Sequence, residues 1–243
     1  MNFLIEQSAV GRIAVPDFVP AGRAIFYTTI DFPGDLSGAA ADALQGVMRD
    51  RFSVEAGLVS CHQVHGIRSE RVGATDSWIE KQRCDALWST ETQVALGIKV
   101  ADCLPVTLVD LSSSVIANIH SGWRGAAGRI VEETFDQLPA VNPETTYAWL
   151  GPSIRVCCFE VGEEVVEQFE QSFESVGPHV QRATGRKPHL DLASLTVERL
   201  MGRGLRPGSI FDSKLCTRCQ GSMFHSFRRS GPRSGRNLAI VAQ

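Results

Sequence analysis

Two imidazoles and a thiol stand in three short stretches of the sequence: His65 in CHQVHG (61–66), Cys103 in VADCLPV (100–106) and His120 in NIHSGWRGAAG (118–128). Each stretch closes or follows an apolar run and is followed by Gly, Pro or a glycine-rich turn, so each donor is expected at the end of a strand, where sheets carry their sites. One such residue alone would be packing. Two imidazoles and a thiolate together match a zinc site of three protein ligands, about 2.0–2.3 Å from the metal, with a fourth position open to water or substrate. The same residues permit a second chemistry, with Cys103 as nucleophile and His120 as its base. Asp102, beside Cys103, is either a proton-handling group or a cap on the turn after Val100. A multicopper centre needs a dense set of imidazoles, which six scattered histidines do not supply.

Anion-binding chemistry is also written in the chain. Arg124 in GWRGAAG (122–128) sits at an expected helix start, where peptide N–H groups are free, and Arg228 and Arg229 in SFRRSG carry forked donors. Read as neighbours in an extended segment, only one of these two arginines faces substrate. Between Arg203 and Arg236, eight Lys and Arg stand against one acid, Asp212, which suits an anionic substrate group. Other candidates carry less. CTRC (216–219) has half the spacing of a thiolate site but no second pair nearby in sequence, and the adjacent Cys157 and Cys158 are assigned to packing. His62, His179 and His189 lack identifiable partners, and His225 is assigned either to orienting substrate or to the surface.

The elements that must position these residues follow from periodicity. Strands are expected at 24–29, 57–65, 94–100, 105–109, 114–120, 145–150, 209–212 and 237–241, and helices at 126–138, 163–173 and from an Asp191 N-cap to Met201. Successive strands without intervening helices favour an α+β fold with mixed sheets flanked by helices. No repeat or linker interrupts the chain, so residues 1–243 are expected to form one catalytic domain. The composition, 43% hydrophobic and 21% charged with a net charge of −3, is that of a globular protein without a general attraction for nucleic acid or anionic membrane. The absence of a long apolar stretch and of a basic start, with an odd seven cysteines, leads to the expectation of a cytoplasmic protein with reduced thiols.

Taken together, QVHG, ADCLP, HSGWRG, GPSIRVCCFEVG (151–162), the Cys216-Thr217 pair and FHSFRRSG with the following SGR (224–236) resemble, in this order, the bacterial purine nucleoside phosphorylase family. That family was formerly labelled polyphenol oxidoreductase or laccase, and is also called the peptidoglycan editing factor family. The resemblance covers the chain from about residue 57 to its end. It implies a layered α/β/β/α fold and a zinc enzyme, with copper as the alternative metal, that phosphorolyses adenosine, inosine, guanosine and methylthioadenosine and deaminates adenosine. The metal ligands it implies fall on His65, Cys103 and His120, with Cys103, His120 and Asp102 at the chemistry. Arg124, Arg228, Arg229 and Gln63 are the candidate contacts for nucleoside and phosphate. The editing-factor name implies the alternative, an amidase acting on wrongly charged UDP-MurNAc amino acid precursors. The stretch FYTTIDFPGD (26–35) departs from the family in lacking an Arg after its threonines, so no contact is assigned there.

Overall fold

The computed structural model describes residues 3–32, 38–76, 83–139 and 141–243. The chain opens with a hairpin of β1 (Phe3–Ser8) and β2 (Gly11–Pro16), then β3 (Ala24–Thr28) and helix α1 (Gly38–Phe52). Six strands follow, β4 (Gly57–Ser60), β5 (Ser69–Arg71), β6 (Ala86–Ser89), β7 (Val94–Val100), β8 (Leu104–Asp110) and β9 (Val115–Ser121), with no helix between β5 and β9 among the described residues. Helices α2 (Trp123–Ala127) and α3 (Ile130–Gln137), strand β10 (Thr146–Leu150), helix α4 (Glu163–Ser172), the short pair β11 (Val180–Gln181) and β12 (His189–Leu190), and helix α5 (Leu192–Gly202) come next. The chain ends with β13 (Ile210–Asp212), α6 (Phe227–Ser230) and β14 (Asn237–Ala242).

Two six-stranded sheets result. One has the order β1-β2-β3-β14-β7-β4, the other β13-β10-β8-β9-β6-β5. Both are mixed: β4 runs parallel to β7 and β10 parallel to β13, while β8 and β9 pair antiparallel. Side-chain alternation divides the core into three slabs. Leu238 and Ile240 of β14 pack with Leu44 and Met48 of α1, whereas Ala239 and Val241 point the other way, onto Ile116 and Trp149 of the second sheet. Ala117 and Ile119 of β9 pack with Ile130, Val166, Phe169 and Leu195 of the helices beyond. Helix, sheet, sheet and helices are therefore stacked in four layers, the arrangement implied by the resemblance. Asn118 stands in the inter-sheet slab where apolar residues are the rule. Its side-chain amide donates across the gap to Leu96 O (2.9 Å) and Ala239 O (2.8 Å). A polar group buried there is tolerated because it is bonded, and its donors tie the sheets together.

Two expectations need correction. The strand expected over 57–65 stops at Ser60, because the peptide N–H groups of residues 64–66 turn to a carboxylate instead of a ladder partner. The helix expected over 126–138 starts earlier, at Trp123, and is broken by Arg129 at φ 68, which gives two short helices. Asp191 does cap α5, accepting from Ser194 N. In 26–35, residues 33–35 lie outside the described part.

Candidate metal site

The chain passes from the first sheet to the second through three residues. β7 ends at Val100 and β8 begins at Leu104, so Ala101-Asp102-Cys103 is the crossover. Asp102 adopts φ 84, a left-handed conformation that Asp and Asn accept more readily than most residues. Its carboxylate accepts from Thr217 Oγ1 (2.5 Å), Ser226 Oγ (3.1 Å) and Arg228 N (2.6 Å). The carboxylate thus ties the crossover to the 217–228 segment.

Cys103 emerges from this crossover towards two rings. His120 is on β9, paired with Pro105 of β8, and His65 projects from the loop after β4 at φ 60. One donor atom from each of His65, Cys103 and His120 lies within 4.8 Å of the others. The rings of His65 and His120 meet nearly edge to face, centroids 4.8 Å apart. Behind them sits a residue the sequence reading passed over. Asp85 is fully buried just before β6, with one carboxylate oxygen 2.8 Å from His120 Nδ1. The same carboxylate accepts from the peptide N–H groups of Val64 (3.2 Å), His65 (2.8 Å) and Gly66 (2.7 Å). One acid therefore orients both imidazoles: His120 through its Nδ1, which leaves Nε2 for the site, and His65 through its backbone. Burial works to raise the Asp85 pKa, but the bond to His120 and these N–H groups outweigh it and hold the carboxyl below its usual range. Asp85 was findable as an acid inside the apolar run CDALW, since buried acids need partners.

Cys103 and His120 shift in opposite directions. Burial would raise the thiol, yet bonds from His120 and His65 bring it down to about 6; burial would lower His120, yet Asp85 and the Cys103 sulfur bring it up to about 9. Cys103 is therefore a thiolate at neutral pH, the form needed of a metal ligand and of a nucleophile. The backbone leaves room at this point. A Cβ built on Gly122 would come within 3.0 Å of the His65 ring and 3.1 Å of the Cys103 sulfur. The glycine keeps clear the space between the donors, and two imidazoles with a thiolate around it fit a borderline-soft ion. These Cys and His groups could hold a metal.

The donors open onto a cavity of about 570 Å³, the size of a small-molecule site. Trp123, Phe159, Phe227 and Ile154 supply apolar walls, and Lys99, Arg124, Arg228 and Arg236 supply positive charge. Arg124 lies over the Trp123 ring at 4.3 Å and Arg228 is set by a bond to Glu160 O (3.0 Å) near the Phe159 ring. Arg228 and Arg229 belong to the one-turn helix α6, so the extended segment expected there is corrected. Arg229 does not line the cavity. Its guanidinium donates to the carbonyls of Thr217, Arg218 and Phe224. Gln63 lines the cavity, but its amide clasps Lys99, donating to its carbonyl (2.7 Å) and accepting from its N–H (2.9 Å). His225 is outside, with its ring against Gly235, and His179 and His189 bond within the helical layer to Ser194 and Glu198, and to Val156 O. The walls Trp123, Phe159 and Phe227 carried no signal in the sequence beyond their place inside the motifs.

Residues 34–243 match the family described as multi-copper polyphenol oxidoreductase laccase, and the chain belongs to that family. It is 36% identical over 197 residues to "Adenosine deaminase RL5" of an unknown prokaryotic organism, covering 76% of this chain and 74% of the relative. It is likewise 36% identical over 219 residues to a purine nucleoside phosphorylase of Xylella fastidiosa, covering 86% and 83%. The fold is shared with the crystal structure of Bacillus licheniformis hypothetical protein YfiH, with a TM-score of 0.80 over 90% of this chain and 92% of that one at 22% identity. The relatives support an enzyme of this family. Among the described residues no helix is long and apolar enough to cross a membrane.

Proposed function

We propose that this chain is a zinc-dependent purine nucleoside phosphorylase that also deaminates adenosine. The observation that carries the reading is the His65–Cys103–His120 donor set opening onto a cavity with aromatic walls and cationic side chains. Zinc, when bound by these three residues, would supply Lewis acidity and activate water near neutral pH. The chain's own residues do the rest. Trp123, Phe159 and Phe227 offer ring faces to a purine, and Arg124 and Arg228 offer charged donors to phosphate approaching the anomeric carbon. Asp85 fixes the His120 tautomer and ring plane, and Asp102 holds the Arg228 backbone in place. Deamination needs water at C6 but no phosphate, so the two reactions share the base slot and differ in their need for the arginines.

A second reading is favoured by one observation. Cys103, His120 and Asp85 form a thiolate, an imidazole and an orienting carboxylate in the order required of a cysteine amidase. Such an enzyme would act on amide-containing cell-wall precursors. Phosphate-dependent release of adenine from adenosine, measured with zinc content before and after chelation, tests both. Loss of base release on chelation and its return with zinc is the expected result; chelated protein that turns over an amide substrate, with no base release in any state, would replace the first reading by the second.

A further inference from the structure

Four of the seven cysteines lie outside the site just described yet come together at one point. Cys157 and Cys158 follow the loop after β10, and Cys216 and Cys219 precede α6, about 60 residues later. A β-bridge between Ser153 and Cys216 aligns the two stretches, with Thr217 N donating to Ser153 O (3.0 Å) and Ser153 N to Leu215 O (3.2 Å). Cys158 packs in the core, as expected of it, and both cysteines also belong to this cluster. The partner pair that CTRC lacks in sequence is supplied by the fold. Cys157 Sγ lies 3.7 Å from both Cys158 Sγ and Cys219 Sγ, Cys158 Sγ lies 3.3 Å from Cys219 Sγ, and all four sulfurs are within 4.8 Å of one another. A tetrahedral ion with sulfur bonds of about 2.3 Å requires sulfurs roughly 3.8 Å apart. A disulfide would use two of the four at about 2.05 Å and leave two over.

We propose that Cys157, Cys158, Cys216 and Cys219 form a second metal site, a closed tetrathiolate that takes zinc for a structural purpose. Four thiolates around a divalent ion leave two negative charges, and the surroundings answer them. Arg218 Nη1 donates to Cys158 Sγ at 3.5 Å, and Arg229 holds the Thr217 and Arg218 carbonyls of the same loop. The site's purpose follows from what its two strands of chain carry. The 154–159 stretch places Ile154 and Phe159 in the cavity wall, and the 216–228 stretch places Phe227 and Arg228 there and sends Thr217 Oγ1 to Asp102, next to Cys103. The metal would cross-link the two stretches from behind the wall. It would take no part in the reaction, since four protein ligands leave no open position.

The inference is tested on the full chain by metal content together with cobalt substitution. The wild type is expected to hold two zinc ions per chain, the Cys103→Ala variant one, and the Cys216→Ser/Cys219→Ser variant one. Should the double variant fail to fold, Cys103→Ala decides, because it leaves all four sulfurs intact: its cobalt form is expected to show the intense sulfur-to-metal absorption of a tetrathiolate. A larger KM for nucleoside with kcat little changed is expected of Cys219→Ser, together with the loss of one zinc. A Cys103→Ala protein without zinc, a Cys216→Ser/Cys219→Ser variant that folds and keeps the wild-type zinc content, or a native mass two daltons low from a disulfide among these four would overturn the proposal. Failure of the proposed function would leave the metal-content, cobalt and mass outcomes unchanged, since these do not depend on the substrate; only the KM shift rests on that reading.

Discussion

His65, Cys103 and His120 offer three donors of two kinds and turn towards a cavity, whereas Cys157, Cys158, Cys216 and Cys219 offer four of one kind and turn towards each other. The first set is drawn from three distant segments and needs Asp85 behind it to fix ring orientation. The second needs no such partner, because a thiolate presents sulfur without a ring to aim. Open coordination demands that protein hydrogen bonds do what a fourth ligand would otherwise do. The difference between the clusters is therefore a difference in where rigidity comes from: from the surrounding fold in one, from the proposed ion itself in the other.

The sharpest break of this comparison is removal of a ligand from the open set. Cys103→Ala or His120→Ala should abolish zinc binding there and lower adenosine phosphorolysis by more than about 100-fold, beyond the range usual for loss of an outer partner. Metal analysis with a base-release assay measures both; full turnover in either variant would remove the metal from the reaction. Asp85→Asn comes next, with a loss of about 10–100-fold in zinc affinity or turnover, read by competition with a chelating dye. The same variant sharpens the electrostatics. In metal-free protein, alkylation of Cys103 should titrate at about 6, well under its ordinary 9.0, and Asp85→Asn should move that midpoint upward.

The stability of the metal-free chain should follow a different course with pH. The Cys103 contribution, from a depressed pKa, is lost as pH falls through about 6, while that of His120, from a raised pKa, is lost as pH rises through about 9. In the unfolded chain the same two groups titrate near 9.0 and 6.5, so the folded pair binds almost the same number of protons at each pH. The melting temperature should accordingly change little from this pair across the neutral range while alkylation changes steeply.

Smaller effects separate the arginines. Arg124→Ala should reduce phosphorolysis roughly 10-fold or more and leave deamination less affected, because water needs no anion site; equal loss of both rates would make Arg124 a nucleoside contact. Arg229→Ala should leave the KM for phosphate unchanged and lower the melting temperature by about 2–4 °C, the result of removing roughly 1 kcal/mol of hydrogen bonding. Asp102→Asn should act mainly on stability. Asn tolerates φ 84 but presents an amide N–H₂ to one of the three donors, so stability should fall by about 1–3 kcal/mol with zinc retained and turnover reduced only a few-fold. A collapse of kcat at unchanged stability would instead give Asp102 a proton to carry.

The residues legible in the sequence were those whose chemistry is local. His65, Cys103 and His120 each sit in a short stretch with its own turn former, and the apolar strands β7, β8 and β9 announce themselves by composition. Asp85 could be marked as an acid in an apolar run, but its role was not legible, because its partner His120 is 35 positions away and only the fold joins them. The thiol cluster was hidden for the same reason, with 61 positions between Cys158 and Cys219. Helix α1 escaped because only Leu44, Val47 and Met48 of its fifteen residues are buried, which is too thin an apolar stripe to mark a period. The hairpin β1–β2 opens on FLIEQS, half-exposed and without alternation strong enough to set a strand apart. Strand alternation led to the expectation that only one of Arg228 and Arg229 faces the substrate, without saying which; Arg228 lines the cavity and Arg229 does not, and it is a helical turn that separates them.

The crossover at Ala101–Cys103 makes the open site a seam. His65 follows a strand of one sheet, His120 belongs to the other, and Cys103 stands on the only direct passage from β7 to β8. Neither sheet alone possesses the donor set. A metal held by these three residues would need both sheets in place, and would resist their separation.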